Sequence, residues 1–498
     1  MYLFRLIKDF LESGAAGIIS LHFSNMSIST DYLKKEDEKM HVNKEANRGG
    51  LTAFRAEMKR PPVIAMIIFI IGIFFNAQAS AEEASPAKPY SGDFWTRSTL
   101  TGDWGGMRND LAAKGVTFDM SLTQIGMSVI SGGKNQGWEY SGRGNITLNI
   151  DTQKLGLWPG GFFMAEVEGN YNHSINLDTG ALMPANSNQL YPMAGSDQLN
   201  ISAVTFTQFL SPYFGAIIGK LDTTSGDMND FAHGKGDKQF CNLAFNFNPV
   251  ALLVAHNSAL GAGVIILPTK DLEEATITAT VIDADGVANR SGFDTIFKGN
   301  STYTVEGRVR TNFFGLTGHQ LVGAAYSSKN FTSLNQTLRF QIQKLTIQEE
   351  DNSWSLYYNF DQYVYEPKKG QGIGIFGRFG VSDGNPNPTH HFYSIGVSGK
   401  GVIPGRTMDQ FGIGYYYMDI SNPKIIGPLM TREFLRDECG AEAYYNIAIT
   451  PWMKLTPDIQ VVRPAQKNQF NIEGGILNIS KKSVDTATVV GLRLQMVF

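Results

Sequence analysis

The stretch Thr486–Phe498 reads TATVVGLRLQMVF. Counting back from Phe498, the apolar residues Met496, Leu494, Leu492 and Val490 alternate with positions that include Gln495, Arg493 and Gly491. A period of two makes one face of a strand greasy and the other polar. A terminal strand of a soluble sandwich ordinarily trails into a polar tail. A strand that stops on its own apolar face suits the closure of a membrane barrel. An ordinary edge strand would carry the same period, so the rest of the chain has to decide.

Composition leans the same way. Among 498 residues there are 53 Gly, 19 Tyr and 32 Phe, and charged residues make up 18%, against about 25% in an average globular domain. The formal net charge of −4 is too mild to point to nucleic acid. Cys241 and Cys439 have no metal-ligand spacing and read as two isolated residues.

The start of the chain divides by pattern. From Met58 the sequence runs MKRPPVIAMIIFIIGIFFNAQASAEEA. Lys59 and Arg60 form a positive region, Val63 to Phe75 an apolar core, and Ala77-Gln78-Ala79 or Ala79-Ser80-Ala81 a small-x-small cleavage site. The core is shorter than the roughly 20 residues of a spanning helix. Residues 58–81 are therefore expected to be a secretory signal peptide for the Sec pathway. Export signals begin at a true N-terminus, so residues 1–57 are expected to be a mis-assigned upstream segment. Residues 82–115 form a leader with a short periplasmic helix over 104–114, capped by Asp103 and ended by Gly115.

From residue 116 to 498 we count sixteen strand-like segments, among them 116–130, 142–155, 161–172, 302–312, 352–364 and 486–498. Their connections alternate. Longer polar loops (131–141, 173–198, 222–257, 283–301, 328–351, 382–391, 421–438, 464–485) take turns with tight ones at Trp158, Pro212, Pro268, Phe313, Pro367, Pro404 and Pro451. Long, short, long, short marks an antiparallel barrel with one elaborated and one plain rim. The fold expected is all-β: a transmembrane antiparallel barrel of about 16 strands with both termini on the plain side, the last strand pairing with the first near Val116 to close it. The period assigns faces: Ile146, Leu148 and Ile150 look outward while Asn145, Thr147 and Asn149 look inward. Likewise Trp354, Leu356 and Tyr358 look out, Ser355, Tyr357 and Asn359 in. Such a closed wall pairs every backbone group and leaves no edge in the bilayer.

The segment GDWGGMRNDLAAKGVTFDMS resembles the N-terminal signature of the carbohydrate-selective porin family (OprB type) of bacterial outer membranes, and GWEYSGRGNITLNIDTQKLGLWPGG, FFMAEVEGNYN, IIGKLDTTSGDMNDFA and CNLAFNFNPV agree with it. The resemblance covers residues 98–498. It implies a monomeric 16-stranded barrel in the outer membrane that passes small sugars, chiefly monosaccharides such as glucose, down their gradient. It also implies that Phe498 is an assembly signal read by the barrel-insertion machinery. Two other readings stay open: a porin of the same fold for organic acids or polyols, and a plugged structural or adhesin barrel.

A sugar channel needs directional donors and acceptors rather than a strong field of one sign. Arg143 and Asn145 share an inward face with Glu166, Glu168 and Asn170 of the next strand. An Arg/Glu pair is expected at a constriction, with Glu166 ahead of Glu168. Glu306, Arg308, Arg310, Asp361, Arg378 and Arg493 are further inward candidates. Trp138, Tyr140, Tyr171 and Tyr191, in or beside the outer loops, are candidates for stacking on sugar rings; Trp138 and Tyr140 read equally well as interface-belt aromatics, as Trp158 and Trp452 do. Loops 173–198 and 222–257 are long enough to fold inward. No catalytic set assembles, so an enzyme is not expected, nor a cofactor or bound metal: Asp222, Asp227, Asp230 and Asp237 do not match a calcium loop, and His390-His391 read as a solvated pair.

Overall fold

The computed structural model describes residues 90–498, apart from 196, 226, 256, 297, 338–339, 342–343, 346–347, 422–423, 427–434 and 473–478. The expected upstream segment 1–57 and signal peptide 58–81 lie outside the described residues.

Sixteen antiparallel strands close on themselves. In chain order they are β1 (Val116–Gly133), β2 (Gly137–Asp151), β3 (Gly161–Asn172), β4 (Leu199–Ser211), β5 (Phe214–Asp222), β6 (Ser258–Ile266), β7 (Ala275–Asp283) and β8 (Ser301–Phe313). There follow β9 (Leu316–Ser327), β10 (Ser353–Lys368), β11 (Gln371–Ser382), β12 (Thr389–Lys400), β13 (Gln410–Ile420), β14 (Glu438–Thr450), β15 (Met453–Arg463) and β16 (Asp485–Val497). Each pairs with its sequence neighbours and β16 pairs with β1, so the wall has no free edge.

The alternation places the side chains as the period predicts. Leu356 and Val305 on the outer face are 51% and 52% exposed, while the inward Ser355 and Thr302 are fully buried. The outer face of the strands exposes apolar side chains, and buried polar and charged ones line the inner face, the pattern of a barrel set in a bilayer.

Two expectations about boundaries change. The final strand meets β1 at Ser121↔Val497 rather than near Val116, and the Phe498 N–H donates to the Met120 carbonyl at 2.9 Å. Tilted strands close a barrel only with a stagger, which moves the seam up β1. The 131–141 loop shrinks to residues 134–136, because β1 and β2 both run on into it.

The N-terminal helix α1 (Met107–Ala113) starts later than expected, and Asp103 is not its N-cap. Trp104, Gly105 and Gly106 all have positive φ (54°, 71° and 96°), which forbids helix there. Asp103 instead stabilises this turn, its Oδ1 accepting from the Gly105 N–H at 3.2 Å. Buried Arg108 fixes α1 to the barrel: its guanidinium lies 4.1 Å from the Tyr90 ring centre and donates to the Phe118 carbonyl of β1.

Candidate functional site: a constricted lumen

The interior of the cylinder is partly filled. Both long loops, 173–198 and 223–257, fold into it, and the second packs on the wall formed by β10 to β15. Phe231, Phe240 and Phe245 of that loop are buried against the inward residues Tyr363, Phe376, Tyr416 and Tyr444. The rings meet edge to face, Phe231 on Tyr363 at 4.6 Å and Phe240 on Tyr444 at 4.8 Å between centres, the arrangement their quadrupoles favour. Wall and loop fit because the wall is flat where the rings lie. A Cβ on Gly374 would come within 2.2 Å of the Phe231 ring, and on Gly414 within 2.6 Å of Phe245.

Charged wall residues hold the loops in place. Arg378 (β11), fully buried, makes an ion pair with Asp227 at 2.8 Å and donates to the carbonyls of Phe245 and Ala232. Arg493 (β16) donates to the carbonyls of Gly236 and Gln239 and to the Cys241 sulfur. Glu442 accepts from the backbone N–H groups of Cys241 and Asn242, and Glu438 from those of Leu182 and Met183 in the other loop. These side chains satisfy loop backbone that would otherwise be stranded away from water. Arg378 and Arg493, expected as pore lining, are thus anchors of the loop.

The expected Arg/Glu pair forms, with the other glutamate. Arg143 meets Glu168 at 2.5 Å and Asp237 at 2.8 Å, and Lys235 adds contacts to Glu168 at 3.0 Å and Asp222 at 2.5 Å. The register explains the choice: Arg143 lies opposite Asn170, with Glu168 on the diagonal and Glu166 one rung farther. Glu166 is nearly buried beside the knot. Burial works against the charge of Lys235, but Asp222 and Glu168 outweigh it and hold the ammonium well above its ordinary pKa. Tyr191 roofs the knot, its ring centre 5.6 Å from the Arg143 guanidinium and 5.1 Å from the Lys235 nitrogen. Burial pushes the Tyr191 hydroxyl pKa upward. Asn170 fixes the approach of this loop by donating to the carbonyls of Gln189, Tyr191 and Met193. Sequence reasoning missed Lys235 and Asp237 as partners. Its acidic loop was the signal: Asp222, Asp227 and Asp237 neutralise Lys235, Arg378 and Arg143.

The inner wall of β7 and β8, with the plain-rim half of β2, stays part-exposed. It carries Asn145 and Thr147, Thr278 and Thr280, and Glu306, Arg308 and Arg310 at successive inward positions of one strand. Glu306 accepts from the Tyr357 hydroxyl at 2.7 Å. Asp361 does not join this lane. It is 2% exposed, pairs with His319 at 2.8 Å and accepts from the Asp230 N–H at 3.4 Å. Burial, then the nearby Asp361, raises the pKa of Asp230, and burial lowers that of His233.

Three stacking candidates lie on the outer face, where the belt reading of Trp138 and Tyr140 places them and where Tyr171 was not expected. Trp138, Tyr140 and Tyr171 belong to the outward set of β2 and β3, with Trp138 stacked on Tyr140 at 6.2 Å and Tyr140 against Tyr171 at 6.3 Å. They form part of an outer aromatic belt; Tyr191 alone of the four faces the lumen. Cys439 is likewise outward on β14 while Cys241 lies inside, so the wall separates two free thiols.

The comparisons agree with this architecture. Residues 135–498 match the family described as carbohydrate-selective porin, OprB family. Porin B of Pseudomonas aeruginosa is 21% identical over 436 residues, covering 80% of this chain and 91% of its own. The putative porin QuiX of Acinetobacter baylyi is 22% identical over 458 residues, covering 82% and 95%. Among solved structures, the high-pH structure of Pseudomonas putida OprB superposes with a TM-score of 0.66 at 20% identity, covering 82% of this chain and all of that one.

Proposed function

Given that the chain belongs to the carbohydrate-selective porin, OprB family, an outer-membrane porin for sugars, we propose that its preferred solutes are small neutral monosaccharides such as glucose, crossing passively through the lane beside the docked loop. The observation that carries this reading is the composition of the lane. Amide and hydroxyl groups lead to Glu306, Arg308 and Arg310, spaced about 6.6 Å apart along one strand. Hydroxyl-rich solutes both donate and accept, and a carboxylate flanked by guanidinium forks answers both needs. The ionic knot above Asn145 pairs Arg143 and Lys235 with Glu168, Asp222 and Asp237 at close range. Most of its field is spent internally, so it narrows the path more than it selects by charge.

Liposome swelling with the purified protein separates the solutes. Glucose and other monosaccharides are expected to enter faster than organic acids or polyols of similar mass. Equal rates for all would remove the monosaccharide preference. Charge removal on the lane supplies a second check: the double replacement R308A/R310A is expected to slow glucose entry while leaving the amount of folded barrel unchanged.

We also propose that Phe498 serves barrel assembly. It completes the seam with β1 through the bond to Met120 and stands at the tight-turn end of β16. Deleting Phe498 is expected to reduce assembled, heat-modifiable barrel in outer-membrane fractions while leaving the conductance of each surviving channel as it was. Normal amounts of a channel with altered conductance would assign Phe498 to the pore.

A further inference from the structure

The start of β12 presents two consecutive histidines to one carboxylate. In a regular strand neighbouring side chains leave by opposite faces. Here the register jumps from Thr389↔Ile420 to His391↔Asp419, so His390 is the extra residue of a bulge, a device that re-aims a side chain. The two imidazole centres lie 4.1 Å apart. Both Nδ1 atoms turn to the same oxygen of Asp419, His391 at 3.0 Å and His390 at 3.6 Å, and one potential ligand atom from each residue lies within 4.8 Å of the others.

We propose that His390, His391 and Asp419 form a binding site for a divalent ion of the zinc class at the long-loop rim. Zinc bonds of about 2.0–2.1 Å in a tetrahedral centre place neighbouring ligand atoms about 3.3–3.4 Å apart. The two nitrogen-to-oxygen separations fall on either side of that value, so little movement closes the site. Two imidazoles and a carboxylate favour zinc, copper or nickel over magnesium and calcium, which prefer all-oxygen sets. Each ring binds as the neutral tautomer with its hydrogen on Nε2: an imidazolium releases its Nδ1 proton to solvent, and a neutral ring protonated on Nδ1 gives that proton to water while Nε2 takes one up. Water fills the fourth position. The three side chains are 46%, 37% and 40% exposed, which gives an ion access. Among the described residues no lysine or arginine forms an ion pair with Asp419.

Calorimetric titration of zinc into the untagged, detergent-purified full chain tests the proposal. Wild type is expected to take up one equivalent that magnesium does not displace. In H390A/H391A and in D419N that uptake weakens by at least about tenfold, the lower range seen when groups supporting a metal site are lost. Cobalt in place of zinc is expected to give visible absorption bands in wild type that are absent from H390A/H391A. These positions lie at the rim, and heat-modifiable gel migration verifies the variant barrels. Equal zinc affinity in wild type and H390A/H391A, or in wild type and D419N, would overturn the three-residue site.

Discussion

Channels carrying R378M are expected to conduct more than wild type and to lose discrimination among sugars. Arg378 is fully buried and pins segment 223–257 through Asp227 and the carbonyls of Phe245 and Ala232. Methionine keeps most of the volume but leaves Asp227 with the neutral Asn359 amide at 3.2 Å and two carbonyls without their donor. Breaking a buried pair from one side costs about 3–5 kcal/mol, which shifts the balance of docked to undocked loop by about two to four powers of ten. The aromatic contacts of Phe231, Phe240 and Phe245 oppose the release. The barrel wall has its own backbone ladder, so the gel shift of the folded barrel persists. Single-channel recording would reveal the loosened loop as larger and noisier currents. Wild-type conductance in folded R378M would show that the aromatic packing alone holds the loop.

The second large effect is on ion preference. R143A removes a cation from the knot while Glu168, Asp222 and Asp237 remain, with Lys235 still paired to Glu168 and Asp222. Among the described residues, the Asp237 carboxylate keeps its contact with the Asn188 amide. The local charge becomes more negative by one, and a narrow low-dielectric passage magnifies such a change. Under a potassium chloride gradient the reversal potential is expected to move toward the potassium value. Glucose block is expected to weaken, since Tyr191 loses the guanidinium beneath it. R143K, which keeps the charge but not the fork, is expected to preserve ion preference while reproducing part of the lost block. An unmoved reversal potential in R143A would place the knot away from the ion path.

How far the sequence alone carries the fold can be seen at β16. Its period of two is imposed by lipid on one side and lumen on the other, so strand identity and facing are written in every second residue. Strand ends are not, because tilt and stagger belong to the closed cylinder: the seam at Ser121 has no mark in either strand taken singly. The interior was harder to read. Phe231, Phe240 and Phe245 sit in a loop whose composition looks polar, and nothing in it says which wall they meet. The wall did carry a hint. The inward glycines Gly374, Gly412 and Gly414 leave space that Phe231, Phe240 and Phe245 fill, and a row of inward glycines in a membrane strand signals something packed against it. The pair at Arg143 was visible as a class of contact, but choosing Glu168 over Glu166 needed the register. Tyr171 goes to the lumen on sequence alone, and Trp138 and Tyr140 stay open between lumen and outer belt, because they stand where a strand reads as a loop or as its end. Once β2 is extended to Gly137, its parity sends Trp138 and Tyr140 outward.

The most direct test of the account is single-channel conductance of the purified protein in a planar bilayer as glucose is added. The docked loop and the Glu306–Arg308–Arg310 lane predict steady channels whose current falls in a saturable way with glucose. Channels whose current is indifferent to glucose and other sugars, or a folded barrel that conducts nothing, would contradict it.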